Sequence, residues 1–494
     1  MTKATSFLAF DLGAASGRAV IGRFDGERLV LEEVHRFPNG PVRVPDGLHW
    51  DILRLYSELK HGLAKAAGER GAELVSLGLD TWGVSFALLD KQGALLGNPY
   101  HYRDARTDGM LEQAFGRVPK EEIFEQTGIQ FLQINTLYQL LSMVIQESPL
   151  LSVADTLLMT PDLFNYWFTG QKVSERTIAS TSQCFNPNTG YWATALIEAM
   201  DIPSHIFPEI VQPGAVLGEL TPAVAGETGA RGVSVVAPGC HDTACAVAAV
   251  PAERDCYAYL SSGTWSIVGA EVNHPVITAK SLAFNFTNEG GVCDTIRLLS
   301  NMTGLWLIQE CRRAWAAEGQ VLSYDDITRL AQAAPPFAAL IDTDADEFLS
   351  PGDMPARIRE YCLSTGQNPP EGKGSIVRTI LESLALKYRW TFEKLEDLLE
   401  QRLEPLHIVG GGSQNELLNQ FTADAVGRPV LTGPVEATAT GNVLMQMLAL
   451  GHIASLEEGR DVVRRSFEMR SYVPHKSSVW DDAYGKYLNL IETA

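Results

Sequence analysis

Short apolar runs, each closed by a carboxylate or by glycine and hydroxyl residues, recur along the chain. Phe7-Leu8-Ala9-Phe10 runs into Asp11, and the runs Ala19 to Phe24 and Leu29 to Leu31 follow at spacings that predict a meander of strands with a turn at Asp25-Gly26. Leu74 to Leu79 reads as another strand, ending in Asp80-Thr81-Trp82-Gly83, and Ala87 to Leu89, Val233 to Ala237, Tyr257 to Leu260 and Leu406 to Val409 follow the same pattern. Between these runs the period changes. Ile52, Tyr56, Leu59, Leu63 and Ala66 fall on one face of a helix over 50–67, with Asp51 as its cap. Helical text also covers 137–145, 162–168, 326–334, 375–399, 415–426 and 438–450, with Gly427 and Gly451 stopping the last two. Prolines 203, 208 and 213 mark 203–217 as a surface crossing.

Strands interleaved with helices define an α/β chain, and 494 residues exceed one ordinary core, so two domains are expected. Composition narrows the partners. A formal net charge of -21 with no Lys/Arg-rich run argues against nucleic acid and against an anionic membrane. Asp11 interrupts the only leader-like segment and no apolar run is long enough to span a bilayer, so a cytoplasmic protein is expected. Seven scattered cysteines without a Cys-x-x-Cys pair fit reduced thiols. Cys240, His241 and Cys245 lack a fourth ligand at metal-site spacing. Monomer and homodimer both stay open.

The first strand ends in Asp11-Leu12-Gly13-Ala14-Ala15-Ser16-Gly17-Arg18. Residues this small let backbone N–H groups reach an anion, and Ser16 and Arg18 add a hydroxyl and a fixed charge. No Gly-Lys-Ser/Thr follows, and the next element is a strand, so the loop is the tip of a hairpin. Taken alone, a plain tight turn explains it equally well. Ser261-Ser262-Gly263-Thr264-Trp265-Ser266 repeats the design about half a chain later, which suggests an internal duplication with two loops offered to one nucleotide. Gly410-Gly411-Gly412 is a third glycine turn, fit to lie against a base and ribose.

The strand 233–237 passes through Pro238-Gly239 into Cys240-His241-Asp242-Thr243 and a small apolar helix, so Asp242 opens a helix where amide dipoles favour its charge. It reads either as a general base at a cleft or as an ordinary cap. Gly83 can admit a sugar's hydroxyl-bearing face, while Trp82 and Phe86 serve either the sugar or the core. Phosphoryl transfer to a hydroxyl needs held phosphates and Mg²⁺, an in-line acceptor and a carboxylate for its proton. Asp11, two hairpin tips and Asp242 make such a set.

Those blocks, with Tyr102-Arg103-Asp104-Ala105-Arg106-Thr107, Gly128-Ile129-Gln130-Phe131, Thr287-Asn288-Glu289-Gly290-Gly291 and His407-Ile408-Val409-Gly410-Gly411-Gly412, together resemble the FGGY carbohydrate kinases from residue 7 to about 445. The resemblance implies two actin-like, ribonuclease-H-like lobes with a nucleotide and sugar cleft between them. Their expected bounds are 1–249 for sugar and phosphate, 250–454 for nucleotide, and a tail 455–494 folding back on the first lobe. It implies ATP-dependent phosphorylation of a ketose, with ATP and Mg²⁺ as cofactors. Asp242 would be the proton acceptor; Gly83, His241, Thr243 and Asn301 would face the sugar. Ala14, Ala15, Ser16, Gly17, Arg18, Thr264, Gln309 and Gly411 would hold ATP, and Asp11 would reach the metal. The acceptor the resemblance implies is L-rhamnulose; Ser85 and Cys240 stand where Asp and Ser are expected, which keeps L-fuculose and xylulose as alternatives. An ATP-driven switch of the actin or chaperone type shares the lobes but lacks the base.

Overall fold

The computed structural model describes residues 4–70, 73–475 and 478–493, so residues 1–3, 71 and 72 of the expected first lobe and 476, 477 and 494 of the expected tail lie outside it. Chain contacts divide it into two compact units. The first comprises 1–253, 271–298 and 437–467, and the second 254–270, 299–436 and 468–494. The expected tail is therefore shared, with the helix Leu456–Ser466 in the first unit and Ser478–Thr493 in the second.

In the first unit the strand Thr5–Leu12 lies between antiparallel Ser16–Phe24 and parallel Leu74–Thr81. Leu29–Pro38 extends the sheet beyond Ser16–Phe24, longer than the three apolar residues that signal it. On the other edge Ser234–Ala237 pairs parallel with Leu74–Thr81 and antiparallel with Ala215–Glu219. That edge strand begins inside the surface crossing expected over 203–217 and runs two residues past it. Its residues, Ala-Val-Leu-Gly-Glu, do not alternate between apolar and polar, so period does not reveal it.

The second unit repeats this order. Trp265–Val272 runs antiparallel to Ala258–Ser262, which is followed by parallel Leu406–Val409, parallel Val430–Thr432 and antiparallel Ser471–Tyr472. The duplication inferred from the hairpins thus extends to whole sheets, except that the last antiparallel strand precedes its neighbour in the first unit and follows it in the second.

Burial on both faces explains why Phe7 to Leu12 reads as a nearly continuous apolar run. Leu8, Phe10 and Leu12 meet Leu55, Leu59 and Leu63 of the helix Ile52–Arg70, each fully buried and each contributing about 1.5–3 kcal/mol. Phe7 and Ala9 meet Val443, Leu444 and Met447 of the helix Ala437–Ala449. Glycine permits that second packing. A Cβ on Gly78 would stand 2.5 Å from the Asn442 side-chain oxygen, and one on Gly441 would stand 1.8 Å from the Cys245 carbonyl of the helix Asp242–Ala248.

Candidate active site

Strand alternation sets up the first unit's site. Residues 76, 78 and 80 share the sheet face under the helix Ala437–Ala449, and Asp11 is in register with both Asp80 and Arg18 on its neighbouring strands. Arg18 therefore reaches across to donate to Asp11 Oδ2 at 2.5 Å, an ion pair in which both side chains are largely buried. Its guanidinium, expected for the nucleotide, is engaged by Asp11.

The hairpin joining Thr5–Leu12 and Ser16–Phe24 closes with Gly13 N–H donating to the Ser16 carbonyl at 3.0 Å. Asn39 ties the tip from outside, its side chain donating to the Gly13 carbonyl at 2.8 Å and its amide to the Ala15 carbonyl at 3.0 Å. Ala15 is exposed at the apex. Gly17 has a packing reason of its own, because a Cβ there would sit 2.3 Å from the Phe37 ring.

Asp80 is wholly buried beside Asp11. Asn442 donates to its Oδ2 at 2.7 Å, and Oδ1 has no hydrogen-bond partner among the described residues. Desolvation, with the nearby charges of Asp11 and Asp242, lifts its carboxyl well above the usual range despite the Asn442 bond. The relay continues along the helix: Gln446 donates to the Asn442 side-chain oxygen at 2.7 Å and to the Leu8 carbonyl at 3.0 Å, and accepts from Ser76 Oγ at 2.6 Å.

His241 is the residue before the helix Asp242–Ala248, and Asp242 opens it as the sequence predicts. Asp242 Oδ1 takes the Thr243 amide at 2.6 Å and the Thr243 hydroxyl at 3.1 Å, and His241 Nε2 stands 3.3 Å away. The other oxygen, Oδ2, makes no hydrogen bond or ion pair among the described residues. Desolvation raises the Asp242 carboxyl above its ordinary value; His241 opposes the shift, the Asp11 charge adds to it, and the Thr243 bonds oppose it. A carboxylate with one oxygen anchored and its proton affinity raised can accept a proton from a neighbouring hydroxyl.

Next to Asp80 the chain makes a strained turn. Val84 has φ 62°, uncommon for a β-branched residue, and three side chains hold it: its amide donates to Thr181 Oγ1 at 3.0 Å, and its carbonyl accepts from Thr136 Oγ1 at 2.8 Å and Gln139 Nε2 at 3.0 Å. A Cβ on Gly83 would press on Thr181 at 3.2 Å. Trp82 and Phe86 both belong to the core. Ser85 is buried, accepting from Trp50 Nε1 at 3.1 Å and Trp82 Nε1 at 3.0 Å, so this departure from the expected Asp serves two indoles.

The second unit gathers the other candidates separately. The Ser262 to Trp265 tip closes through Gly263 N–H to the Trp265 carbonyl at 2.9 Å. Its Gly263 and Thr264 carbonyls accept from the amides of Leu305 at 2.9 Å and Trp306 at 3.2 Å, where the helix Trp306–Ala317 starts. This brings Thr264 and Gln309 together, the Thr264 hydroxyl donating to Gln309 Oε1 at 3.2 Å. Gly410 and Gly412 both crowd Ser262, with Gly412's Cβ position 2.0 Å from its Oγ, whereas Gly411 is exposed and faces open space. Asn301 is the half-buried position of the strand Ile296–Thr303.

Among the described residues no three His, Cys, Asp or Glu side chains are grouped to enclose a metal by themselves. Asp11, a carboxylate at the end of its strand, is instead the kind of sparse oxygen ligand by which Mg²⁺, an ion that keeps waters and takes phosphate oxygens, would be held, while Asp80 beside it is fully enclosed. All seven cysteines are free thiols, and no described helix is long and apolar enough to cross a membrane.

Sequence reasoning left Asp80, Asn442, Gln446, Glu289 and Arg297 without roles. For the amides a signal existed, since Asn442 and Gln446 are one helical turn apart in a stretch otherwise of Val, Leu and Met.

The chain belongs to the FGGY family of carbohydrate kinases, whose N-terminal domain matches residues 6–249 and whose C-terminal domain matches residues 258–450. A rhamnulokinase from Bacteroides thetaiotaomicron is 46% identical over 486 residues, covering 98% of this chain and 99% of that protein. Another, from Oceanobacillus iheyensis, is 40% identical over 465 residues, 94% of this chain and 97% of that protein. In fold, the chain matches a gluconate kinase from Lactobacillus acidophilus with a TM-score of 0.81 at 15% identity, over 99% of this chain and 98% of that one.

Proposed function

We propose that this protein transfers the γ-phosphoryl group of ATP to L-rhamnulose, giving L-rhamnulose 1-phosphate and ADP in the cytoplasm. The carrying observation is its kinship with rhamnulokinases over nearly the whole length of both chains. Under this reading the lobe 1–249 binds sugar and phosphate, 250–454 binds nucleotide, and the tail 455–494 folds back on the first lobe through its helix Leu456–Ser466.

Asp242 Oδ2 accepts the proton of the sugar hydroxyl as that oxygen attacks the γ-phosphorus and the bond from phosphorus to the ADP oxygen breaks. The O–H electron pair becomes the new P–O bond, and ADP leaves with the pair of the broken one. Gly83, His241, Thr243 and Asn301 orient the sugar. The tip 14–18, Thr264, Gln309 and Gly411 hold ATP. Asp11 would hold Mg²⁺, which when bound neutralises charge on the phosphates.

The test is sugar-dependent ADP release across L-rhamnulose, L-fuculose, L-xylulose and D-xylulose. L-Rhamnulose gives the highest kcat/KM, and Asp242→Asn lowers it about 10²–10⁴-fold. Release that no ketose stimulates, or that survives Asp242→Asn, ends the proposal and favours the ATPase switch.

A further inference from the structure

Arg297 is fully buried in the first unit, on the strand Ile296–Thr303, and pairs with Glu289 on Thr287–Gly290, Nη2 to Oε2 at 3.0 Å. A buried ion pair of this kind adds little net stability over apolar residues of the same size. This one touches the candidate proton acceptor's neighbour. Arg297 Nη2 lies 3.1 Å from His241 Nδ1 in hydrogen-bond geometry, and Glu289 Oε2 stands 3.1 Å from the same nitrogen.

A guanidinium has no lone pair to give, so in that bond Nδ1 is the acceptor, and the nearby Glu289 carboxylate is then matched by the Arg297 charge at 3.0 Å rather than by a proton on Nδ1. The ring proton of neutral His241 is then on Nε2, the nitrogen 3.3 Å from Asp242 Oδ1. The backbone is held from another side, His241 N–H donating to Thr177 Oγ1 at 3.1 Å. Arg297 itself is aimed by donation from Nε to the Gly290 carbonyl at 2.9 Å, and that glycine's amide donates to Ser180 Oγ at 2.8 Å.

We propose that Glu289 and Arg297 are positioning residues that act through His241, fixing its ring and its Nε2–H tautomer so that Asp242 keeps one oxygen occupied and turns the other to the substrate. This rests on the reading of Asp242 as proton acceptor. Neither residue touches the reacting atoms. Their removal should cost turnover while leaving nucleotide affinity alone, because misplacing a reacting group by about 1 Å costs as much as a hundredfold.

The experiment uses Arg297→Lys, which keeps the charge but loses the planar fork, and the double variant Glu289→Leu with Arg297→Met, which exchanges the pair for apolar bulk. Both are assayed with ATP and L-rhamnulose beside Asp242→Asn, and ¹⁵N-histidine spectra, with His241→Gln identifying the signal, report the tautomer. Expected is a kcat lowered about ten- to a hundredfold at unchanged KM for ATP, with loss of the Nε2–H signature. A folded variant of either kind with wild-type kcat and the wild-type His241 spectrum overturns the proposal. Should the double variant not fold, Arg297→Lys and Glu289→Gln decide by the same readouts. Full activity in Asp242→Asn instead overturns the proton-acceptor reading itself, whatever residue 297 does.

Discussion

Asn442 donates its side-chain N–H to Asp80 at 2.7 Å across 362 positions of sequence, tying a helix late in the chain to a strand near its start. Asp80 is wholly buried and its other oxygen is unpartnered, so this bond is its one anchor among the described residues. Asn442→Leu should destabilise the fold by about 1–3 kcal/mol, the cost of orphaning a buried polar group. Denaturant unfolding measures it, and an unchanged midpoint would show that Asp80 finds another partner.

Ser85 carries two indoles at once. Ser85→Ala strips the acceptor from Trp50 and Trp82, both in the core, at about 1–3 kcal/mol for each N–H left unpaired. Tryptophan fluorescence during urea unfolding reads both the loss and the local change. Equal stability of the variant would mean the hydroxyl is dispensable.

Gly441 stands where two helices of the first unit meet. An added Cβ would lie 1.8 Å from the Cys245 carbonyl, which is backbone and cannot swing aside. Gly441→Ala should therefore cost about 1–3 kcal/mol or more. Gly68→Ala, in a helix with nothing within 4 Å of the new methyl, should gain about 0.5–1 kcal/mol. Melting temperatures that move in the same direction for both would refute the packing argument.

Asp162 supplies a pH test. Burial lifts its carboxyl well above the ordinary 3.8, against the Ser174 hydroxyl and Glu175 amide bonds that lower it. The folded state thus keeps a proton that the unfolded chain gives up. Its stabilisation is complete below about pH 3.8 and is lost as pH rises towards the folded value. Asp162→Asn cannot ionise and keeps partners for both neighbours, so its stability relative to wild type should climb from pH 4 to pH 8. Parallel stability curves over that range would contradict the assignment.

Where local physics decides, the sequence was a good guide. Asp242 opens its helix as the small apolar run after it requires, and the helix expected over 438–450 spans Ala437–Ala449. Both hairpin tips stand at strand ends as their glycine and hydroxyl content demands. What stayed hidden depends on pairing between distant strands. Asp11 and Asp80 become neighbours through a parallel register, and Glu289 finds Arg297 through the fold of the strands that carry them. Aromatic residues stay ambiguous for a related reason: a tryptophan beside Gly83 reads equally as a sugar platform or as core, and a buried serine that accepts its indole hydrogen bond places it in the core.

The first unit's core is written in three separated stretches, and this has a consequence for synthesis. When residues up to 253 have left the ribosome, Phe7, Ala9 and the buried Asp80 still lack the helix Ala437–Ala449 that covers them. Elongation at roughly 5–20 residues per second makes that wait about 10–40 seconds. For that time the nascent chain displays an apolar sheet face with a polar seam, a surface on which a ribosome-associated chaperone has something to hold.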